Sequence, residues 1–192
     1  MRRSLLGAAL LTAFLLPACA EPPNKEMDQA QGAIDAALAA GAAQYAEAEY
    51  TAATTSLQQA NEAVAQRDFR LALSHALESR EHAQNAARDA AENRARIRGE
   101  VERLMAEIAP LLAQASTRAA DAESARLPRQ TLGEARQALT QVNGAVQEAG
   151  AAMKAGDYAA AQPLLQGAKA QIEMTLASLD AAVKSQSLRR RR

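Results

Sequence analysis

The amino-acid sequence predicts an all-α protein, an elongated antiparallel helical bundle of two αα-hairpins linked by one long, Pro-kinked helix. From Glu26 onward alanine dominates, accompanied by Glu, Gln, Arg and Leu, which are strong helix formers. Apolar residues recur at the 3-4 spacing of one helix face, and no segment has the alternating, β-branched pattern of a strand. Because aromatic residues make up only 3% of the chain and Trp is absent, the core has to be built from Ala, Leu, Val and Ile.

The first helices are marked by turn residues as well as by the apolar pattern. A helix containing Ile34 and Leu38 is predicted to end near Gly41. The next helix ends before a reversal at Gln66-Arg67-Asp68-Phe69, in which Asp68 is the expected N-cap of the following helix. Its apolar seam has a heptad period and consists of Tyr50, Ala53, Leu57, Ala60 and Val64.

The long helix is predicted to start at Phe69 and to run to about Ser124. Pro110 lacks a backbone donor and is expected to kink it. Arg126-Leu127-Pro128 should end it, because a residue that precedes proline is pushed out of the α region. Its apolar seam, which Arg80 interrupts, consists of Phe69, Leu73, Ala76, Ala83, Ala87, Ala90, Ile97, Val101, Leu104, Ile108, Leu111 and Ala115.

A second hairpin follows Pro128 and turns at Gly156-Asp157-Tyr158. A shift of 89 residues places Arg67-Asp68-Phe69 on this turn and Leu57 on Val146, so the two hairpins are predicted to be copies. The chain then divides into a leader at 1–18, a tether at 19–25, a first hairpin with the long helix at 26–127, a second hairpin at 128–186 and a basic tail at 187–192. The expected seams of the second hairpin are Leu132, Ala135, Leu139, Val142, Val146, Ala149 and Met153, then Tyr158, Ala161, Leu165, Ala168, Ile172, Leu176, Leu179 and Val183.

Residues 1–18 have the layout of a secretory signal peptide. Arg2 and Arg3 precede an apolar run from Leu5 to Leu16, which is shorter than the roughly 20 residues of a transmembrane helix. Leu16-Pro17-Ala18-Cys19 resembles the lipobox of bacterial lipoproteins, although Pro17 replaces the usual small residue. The resemblance implies that Cys19, the single cysteine of the chain, becomes a lipidated N-terminus.

Ala20, the residue after Cys19, bears on the membrane in which the protein is expected and on an alternative cleavage site. An Asp in this position would retain a lipoprotein in the inner membrane, and Ala20 stands there instead. We therefore expect the protein in the bacterial envelope, at the outer membrane and facing the periplasm. Ala18-Cys19-Ala20 is also an A-x-A site, and cleavage after Ala20 would leave Glu21 as the first residue of a soluble protein.

The segment from about Ala30 to Ala95 resembles a family of small bacterial lipoproteins that share a domain of unknown function. The matching residues are the Gly41–Ala46 stretch, Leu57, Ala60 and the Arg67–Phe69 turn with Ala72. Arg67 stands where the family has Gly, and Glu47 where it often has Pro. The resemblance implies an envelope lipoprotein and supplies no catalytic residue.

The sequence contains no catalytic or phosphate-binding motif, so we expect no enzyme and no cofactor. His75 and His82 lie about 10 Å apart on one helix face, so one metal ion cannot take both, and we interpret them as solvated or interfacial. The chain is neutral overall and its few aromatics do not accompany the arginines, so no nucleic-acid surface is expected.

Basic residues are concentrated in two places. Arg88, Arg94, Arg96, Arg98 and Arg103 enrich the middle of the long helix. The chain ends in a cluster that is suited to anionic lipid, lipopolysaccharide or cell-wall carboxylates, or that is simply a disordered solubilising tail; its members are Arg189, Arg190, Arg191 and Arg192.

The leading functional hypothesis is a scaffold or adaptor that is anchored to the membrane through Cys19 and works by helix–helix contact with a protein partner or a second copy. The alternative is a periplasmic carrier or sensor with a pocket between the hairpins. A third hypothesis, a metal-binding stress protein, depends on His75 and His82.

Overall fold

The computed structural model describes residues 21–190, with side chains to Arg189, and these residues form six α-helices and no strand. The all-α prediction is therefore confirmed. The predicted signal peptide, Cys19, Arg191 and Arg192 lie outside the described residues. The helices are α1 Asn24–Ala39, α2 Ala42–Tyr45, α3 Glu47–Ala65, α4 Phe69–Ser124, α5 Arg129–Ala155 and α6 Tyr158–Arg190.

Helix α4 is the axis around which the other helices pack. Its 56 residues correspond to about 84 Å at 1.5 Å per residue. It stays helical across Pro110, which is exposed, as is Ala106 one turn earlier. The carbonyl of Ala106, which lacks its usual donor because proline has no N–H, thus lies on the solvent side.

The N-terminal half of α4 packs against α1, α2 and α3. Helix α3 is antiparallel to α4, since Ser79 Oγ donates to the Ala53 carbonyl at 2.8 Å and His82 Nδ1 lies 2.8 Å from Glu49 Oε2. Helix α1 runs parallel to α4, as shown by hydrogen bonds from Arg80 Nη1 to Gln29 Oε1 and, further along both segments, from Asn93 Nδ2 to the Tyr45 carbonyl, at 2.8 and 2.9 Å.

The C-terminal half of α4 forms a second three-helix bundle with α5 and α6. Helix α5 returns along α4, and α6 reverses again and therefore runs parallel to α4. The polar contacts between α4 and α6 keep a constant offset of 62 residues, in Glu100–Gln162, Glu107–Lys169 and Arg118–Asp180. The core between these helices includes Val101, Ile108, Val142, Leu165 and Ile172, all 0–2% exposed.

The smallest side chains lie at the centre of the contact between α3 and α4, and half of them (Ala53, Ala60, Ala76 and Ala83) belong to the predicted seams. The buried residues are Ala53, Ser56, Ala60 and Ala63 on α3 and Ala72, Ala76, Ser79 and Ala83 on α4. The larger predicted seam residues of α3 are only half-buried at its edges. A serine hydroxyl that reaches the backbone of the facing helix requires close backbones, so bulky side chains are displaced outward.

The turns before α4 and α6 have the same hydrogen bonds at the predicted offset of 89. The residue before each Asp is left-handed, Arg67 with φ 61° and Gly156 with φ 78°. Asp68 N donates to the Ala63 carbonyl and Asp157 N to the Ala152 carbonyl, both at 2.9 Å, as in a Schellman motif. Each Asp then caps the next helix by accepting a 3.0 Å bond from the third following amide.

Two helix ends differ from the expected bounds. Helix α1 begins at Asn24, inside the segment interpreted as a tether. Helix α6 continues through residues 187–190, the first part of the predicted basic tail. The extension is supported by Gln186 Nε2, which donates to the Arg126 carbonyl at 3.2 Å. None of the helices within residues 21–190 has the length and hydropathy to cross a bilayer.

Candidate functional site

The two bundles meet at a joint where the α5–α6 turn touches α2 and the middle of α4. Helix α5 has 27 residues, about 40 Å, so it returns only part of the way along α4. The turn that follows it is therefore brought to the level of Arg94 and Arg98, beside residues of α1 and α2. Elements that are distant in sequence thus converge on one surface.

Asp157 links the bundles as well as capping α6. Its Oδ1 accepts from the Ala160 amide at 3.0 Å and from Gln44 Nε2 of α2 at 2.9 Å. The equivalent Asp68 caps α4 through the Leu71 amide. The second copy of the turn has therefore gained a contact between bundles.

Two arginines of α4 flank this turn and are held differently. The Arg98 guanidinium lies 5.9 Å from the centre of the Tyr158 ring, a cation–π distance, and its Nε is 2.8 Å from Glu102 Oε1. The hydrogen bond with Glu102 raises the pKa of Arg98 above its usual value. Arg94 has no hydrogen bond or ion pair with any residue between 21 and 190, and its Nη2 lies 3.2 Å from the place that a Cβ on Gly156 would take.

Arg94 separates two open grooves. The larger, about 540 Å³, is lined by Ala40, Ala91, Arg94, Ala95, Arg98 and Tyr158. The smaller, about 270 Å³, lies between the end of α1, α2 and the 155–157 turn. Tyr45 contributes to its wall, and its buried hydroxyl finds no hydrogen-bond partner within the described chain. The larger groove combines arginine side chains, an aromatic ring and alanine walls. A groove of this size and lining suits a small anionic molecule with an apolar part.

The predicted site residues lie elsewhere. His75 Nδ1 is 3.1 Å from Glu78 of its own helix, whereas His82 contacts Glu49 of α3. Within residues 21–190 no three His, Cys, Asp or Glu side chains are grouped as metal ligands. Cys19, Arg191, Arg192 and the Arg190 side chain lie outside the described part, and Arg189 is exposed near the end of α6.

The sequence pattern singled out the arginines of α4 but not their partners at the joint. Gln44, Arg94 and Asp157 are separated by 50 or more residues, so no spacing rule connects them. One signal was available, because the 89-residue offset places Gly156 where the first turn has Arg67. A residue without a side chain at that position leaves room for the Arg94 guanidinium.

Comparison with known proteins finds a similarity in the first bundle. Residues 25–100 match the family model of a domain of unknown function (DUF4398). The matched region covers nearly all of α1, all of α2 and α3, and the part of α4 that packs against them. It confirms the resemblance to a domain of unknown function that was noticed over residues 30–95. Helices α5 and α6 lie outside it. No curated protein and no solved structure matched the chain.

Proposed function

We propose that the protein is a non-enzymatic lipoprotein of the bacterial envelope, anchored through Cys19, that acts as a helical scaffold or adaptor. The observation that carries this proposal is the separation of the two chain ends along α4. Residues 21–24 lie beside the first turns of α4, since Gln29 pairs with Arg80 and α1 is parallel to α4. The last turns of α6 lie beside Arg126. An anchor at one end would therefore present the other end about 84 Å away.

The distal end is suited to an anionic surface. Arg189 is exposed there and belongs to the terminal run of four arginines. Each arginine near an anionic surface contributes about 1 kcal/mol. Because this end is remote from the anchor, the carboxylates of the cell wall are a better-placed partner than the lipids of the anchoring membrane.

A groove along α5 and α6 supports the adaptor role. Two adjoining depressions of about 210 and 290 Å³ share Gln171. Their lining includes several small residues, among them Ala135, Ala138, Gly167 and Ala168, and the lining residue Met174 is 59% exposed. Small residues let a further helix approach closely, so this face suits a helix of a partner or of a second copy.

The anchor is tested by the mass of the mature N-terminus and by fractionation of a Cys19→Ser variant. We expect a mass that corresponds to acylated Cys19, and loss of the variant from the membrane fraction. A free Glu21 at the N-terminus would reject the lipoprotein and leave a soluble periplasmic rod.

The adaptor role is tested by a photo-crosslinking amino acid placed at Met174 in the lipidated protein in cells. We expect a product of defined mass from this position. The matched control is the neighbouring exposed Glu173, which does not line the groove. Equal crosslinking from both positions, or none from Met174, would contradict helix docking in this groove.

The distal contact is tested by binding to purified cell-wall sacculi and to vesicles of anionic lipid. We expect the protein to sediment with sacculi at low salt, and a variant with serine at all four terminal arginines to lose at least tenfold in binding. Because exposed charges are screened by salt, the binding should weaken at high salt. Preferential binding to the vesicles would redirect the proposal to lipid.

A second candidate function is the binding of a small anionic ligand at the joint. It is favoured by Arg94, which lines the larger groove and has no hydrogen-bond or ion-pair partner among residues 21–190. A thermal-shift screen of small carboxylates and phosphates would test it, with Arg94→Gln expected to abolish any stabilisation. Arg129→Gln, at an exposed arginine outside the joint, is the control. A ligand that stabilises both variants equally binds elsewhere.

A further inference from the structure

The smaller groove at the joint contains side chains of opposite charge. Arg94 of α4 and Asp157 of the α5–α6 turn both line it, together with Gln44 of α2. Arg94 Nη2 lies 3.2 Å from the place that a Cβ on Gly156 would take, one residue before Asp157. Within the described chain the two charged side chains nevertheless form no ion pair with each other. Each is therefore available to a ligand group of the opposite charge.

Both side chains have hydrogen-bonding capacity that the described chain leaves unused. Asp157 Oδ1 accepts from the Ala160 amide at 3.0 Å and from Gln44 Nε2 at 2.9 Å, which fixes the carboxylate in place. Its other oxygen, Oδ2, accepts no hydrogen bond from residues 21–190. The guanidinium of Arg94 likewise donates none to this part of the chain. A guanidinium has five N–H donors, and a carboxylate oxygen has two lone pairs.

The first turn of the molecule separates this arrangement from helix capping. Asp68 occupies the position equivalent to Asp157 and caps α4 through the same kind of bond. Arg67 stands there in place of Gly156. Among residues 21–190, no side chain of another helix donates to Asp68. The opposed charges are thus a property of the joint, and a cap of this kind forms without them.

An apolar groove adjoins the charged one. Arg94 lines both, and the larger groove adds the Tyr158 ring and the small residues Ala91 and Ala95. With volumes of about 270 and 540 Å³, the two grooves together have room for a polar headgroup and an apolar side chain. A simple anion in the smaller groove would be repelled by Asp157, and a simple cation by Arg94. A molecule that carries both charges close together meets neither repulsion.

We propose that the joint binds a free α-amino acid with an apolar side chain. The carboxylate of the ligand pairs with Arg94, since guanidinium and carboxylate groups form charge-assisted bonds in matched geometry. The ammonium group donates to Asp157 Oδ2, and the apolar side chain lies in the larger groove against Tyr158. This inference rests on the proposed ligand-binding function of the joint and names the ligand class for that site.

The test compares three ligands that share a phenyl ring, by calorimetric titration of residues 19–192 at neutral pH. They are racemic phenylalanine, 3-phenylpropionate without the ammonium group and 2-phenylethylamine without the carboxylate. We expect phenylalanine to bind at least tenfold more tightly than either analogue. Phenylpropionate binding as tightly as phenylalanine, and lost in Arg94→Gln, would overturn the amino-acid inference and leave the anion site intact. Binding of none of the three would overturn both.

A substitution of Asp157 tests the ammonium contact without removing the helix cap. Asp157→Asn keeps an oxygen for the Ala160 amide, since Asn is an equally good N-cap residue, but removes the charge. We expect it to weaken phenylalanine binding at least tenfold and to leave phenylpropionate binding no weaker. Asp68→Asn, the same change in the equivalent turn, is the control and should alter neither. An Asp157→Asn variant that weakens both ligands equally, or neither, would overturn the proposal. If this variant loses helical circular dichroism signal, the comparison of the three ligands on the parent protein still decides.

Discussion

At the residue scale, the two copies of the turn provide an internal comparison. Arg67 and Gly156 occupy equivalent left-handed positions, with φ of 61° and 78°. A residue with a Cβ pays roughly 1–2 kcal/mol in this region, and glycine does not. Glycine also loses more conformational freedom on folding, so the two effects partly oppose each other.

We predict that Arg67→Gly raises the free energy of unfolding by about 0.5–1 kcal/mol, since glycine is the preferred residue after a helix end of this kind. Gly156→Ala should lower it by at least as much, because alanine is strained at positive φ and its Cβ would crowd Arg94. Urea unfolding of both variants measures these changes. If the two substitutions shift stability in the same direction, backbone strain does not control the turns.

At the element scale, the length and order of the main helices were predictable because residues with fixed backbone roles mark their ends. Asp68 and Asp157 cap α4 and α6, and Pro128 precedes α5. The one-turn helix α2 was not predicted, because it depends on the left-handed Gly41 and on packing against α4. The burial of Ser79 was also missed, since a polar residue in a seam is recognised only by its partner carbonyl on another helix.

The close contact between α3 and α4 predicts a strong dependence on side-chain size. Ala83 is 0% exposed and packs in a cluster with Ile34 and Ala53. We expect Ala83→Leu to destabilise the protein by about 1–3 kcal/mol through overpacking. Ala106→Leu makes the same chemical change at an exposed position of the same helix and should stay within about 0.5 kcal/mol of the parent protein. Equal urea midpoints for the two variants would argue against close packing.

The contact between α4 and α6 contains an ion pair with a defined pH dependence. Lys169 Nζ lies 2.6 Å from Glu107 Oε2, which lowers the pKa of Glu107 and raises that of Lys169. The Glu107 contribution to stability is complete above the ordinary Glu pKa and is lost as the pH falls through the lowered folded value. The Lys169 contribution is complete below the ordinary Lys pKa and is lost as the pH rises through the raised value.

Lys169→Met should therefore raise the pKa of Glu107 toward its usual value, which carboxyl NMR titration measures. The stability difference from the parent protein should be greatest near neutral pH and should shrink at both extremes. Because both side chains are partly exposed, added salt should also shrink it. Lys154→Met, at an exposed lysine of α5, should leave the Glu107 titration unchanged. An unchanged titration in Lys169→Met would show that the pair is not formed in solution.

At the scale of the whole molecule, α4 runs through both bundles. Helices α1 and α3 pack along its first half and α5 and α6 along its second half, so the described chain extends along one axis. A compact protein of 170 residues would have a radius of gyration of about 15 Å. A thin rod of the length of α4, about 84 Å, has a radius of gyration of about 24 Å. Solution scattering separates these values clearly.

We predict a radius of gyration of about 24–28 Å for residues 21–192 at low concentration, with a maximum dimension of about 85–100 Å. A Pro110→Ala variant should keep these dimensions and gain stability, because the Ala106 carbonyl regains a donor within a helix that is already continuous. A radius near 15 Å would mean that α4 folds back on itself at its middle. The ends of the chain would then lie close together, and a scaffold that holds its partner away from the membrane would lose its structural basis.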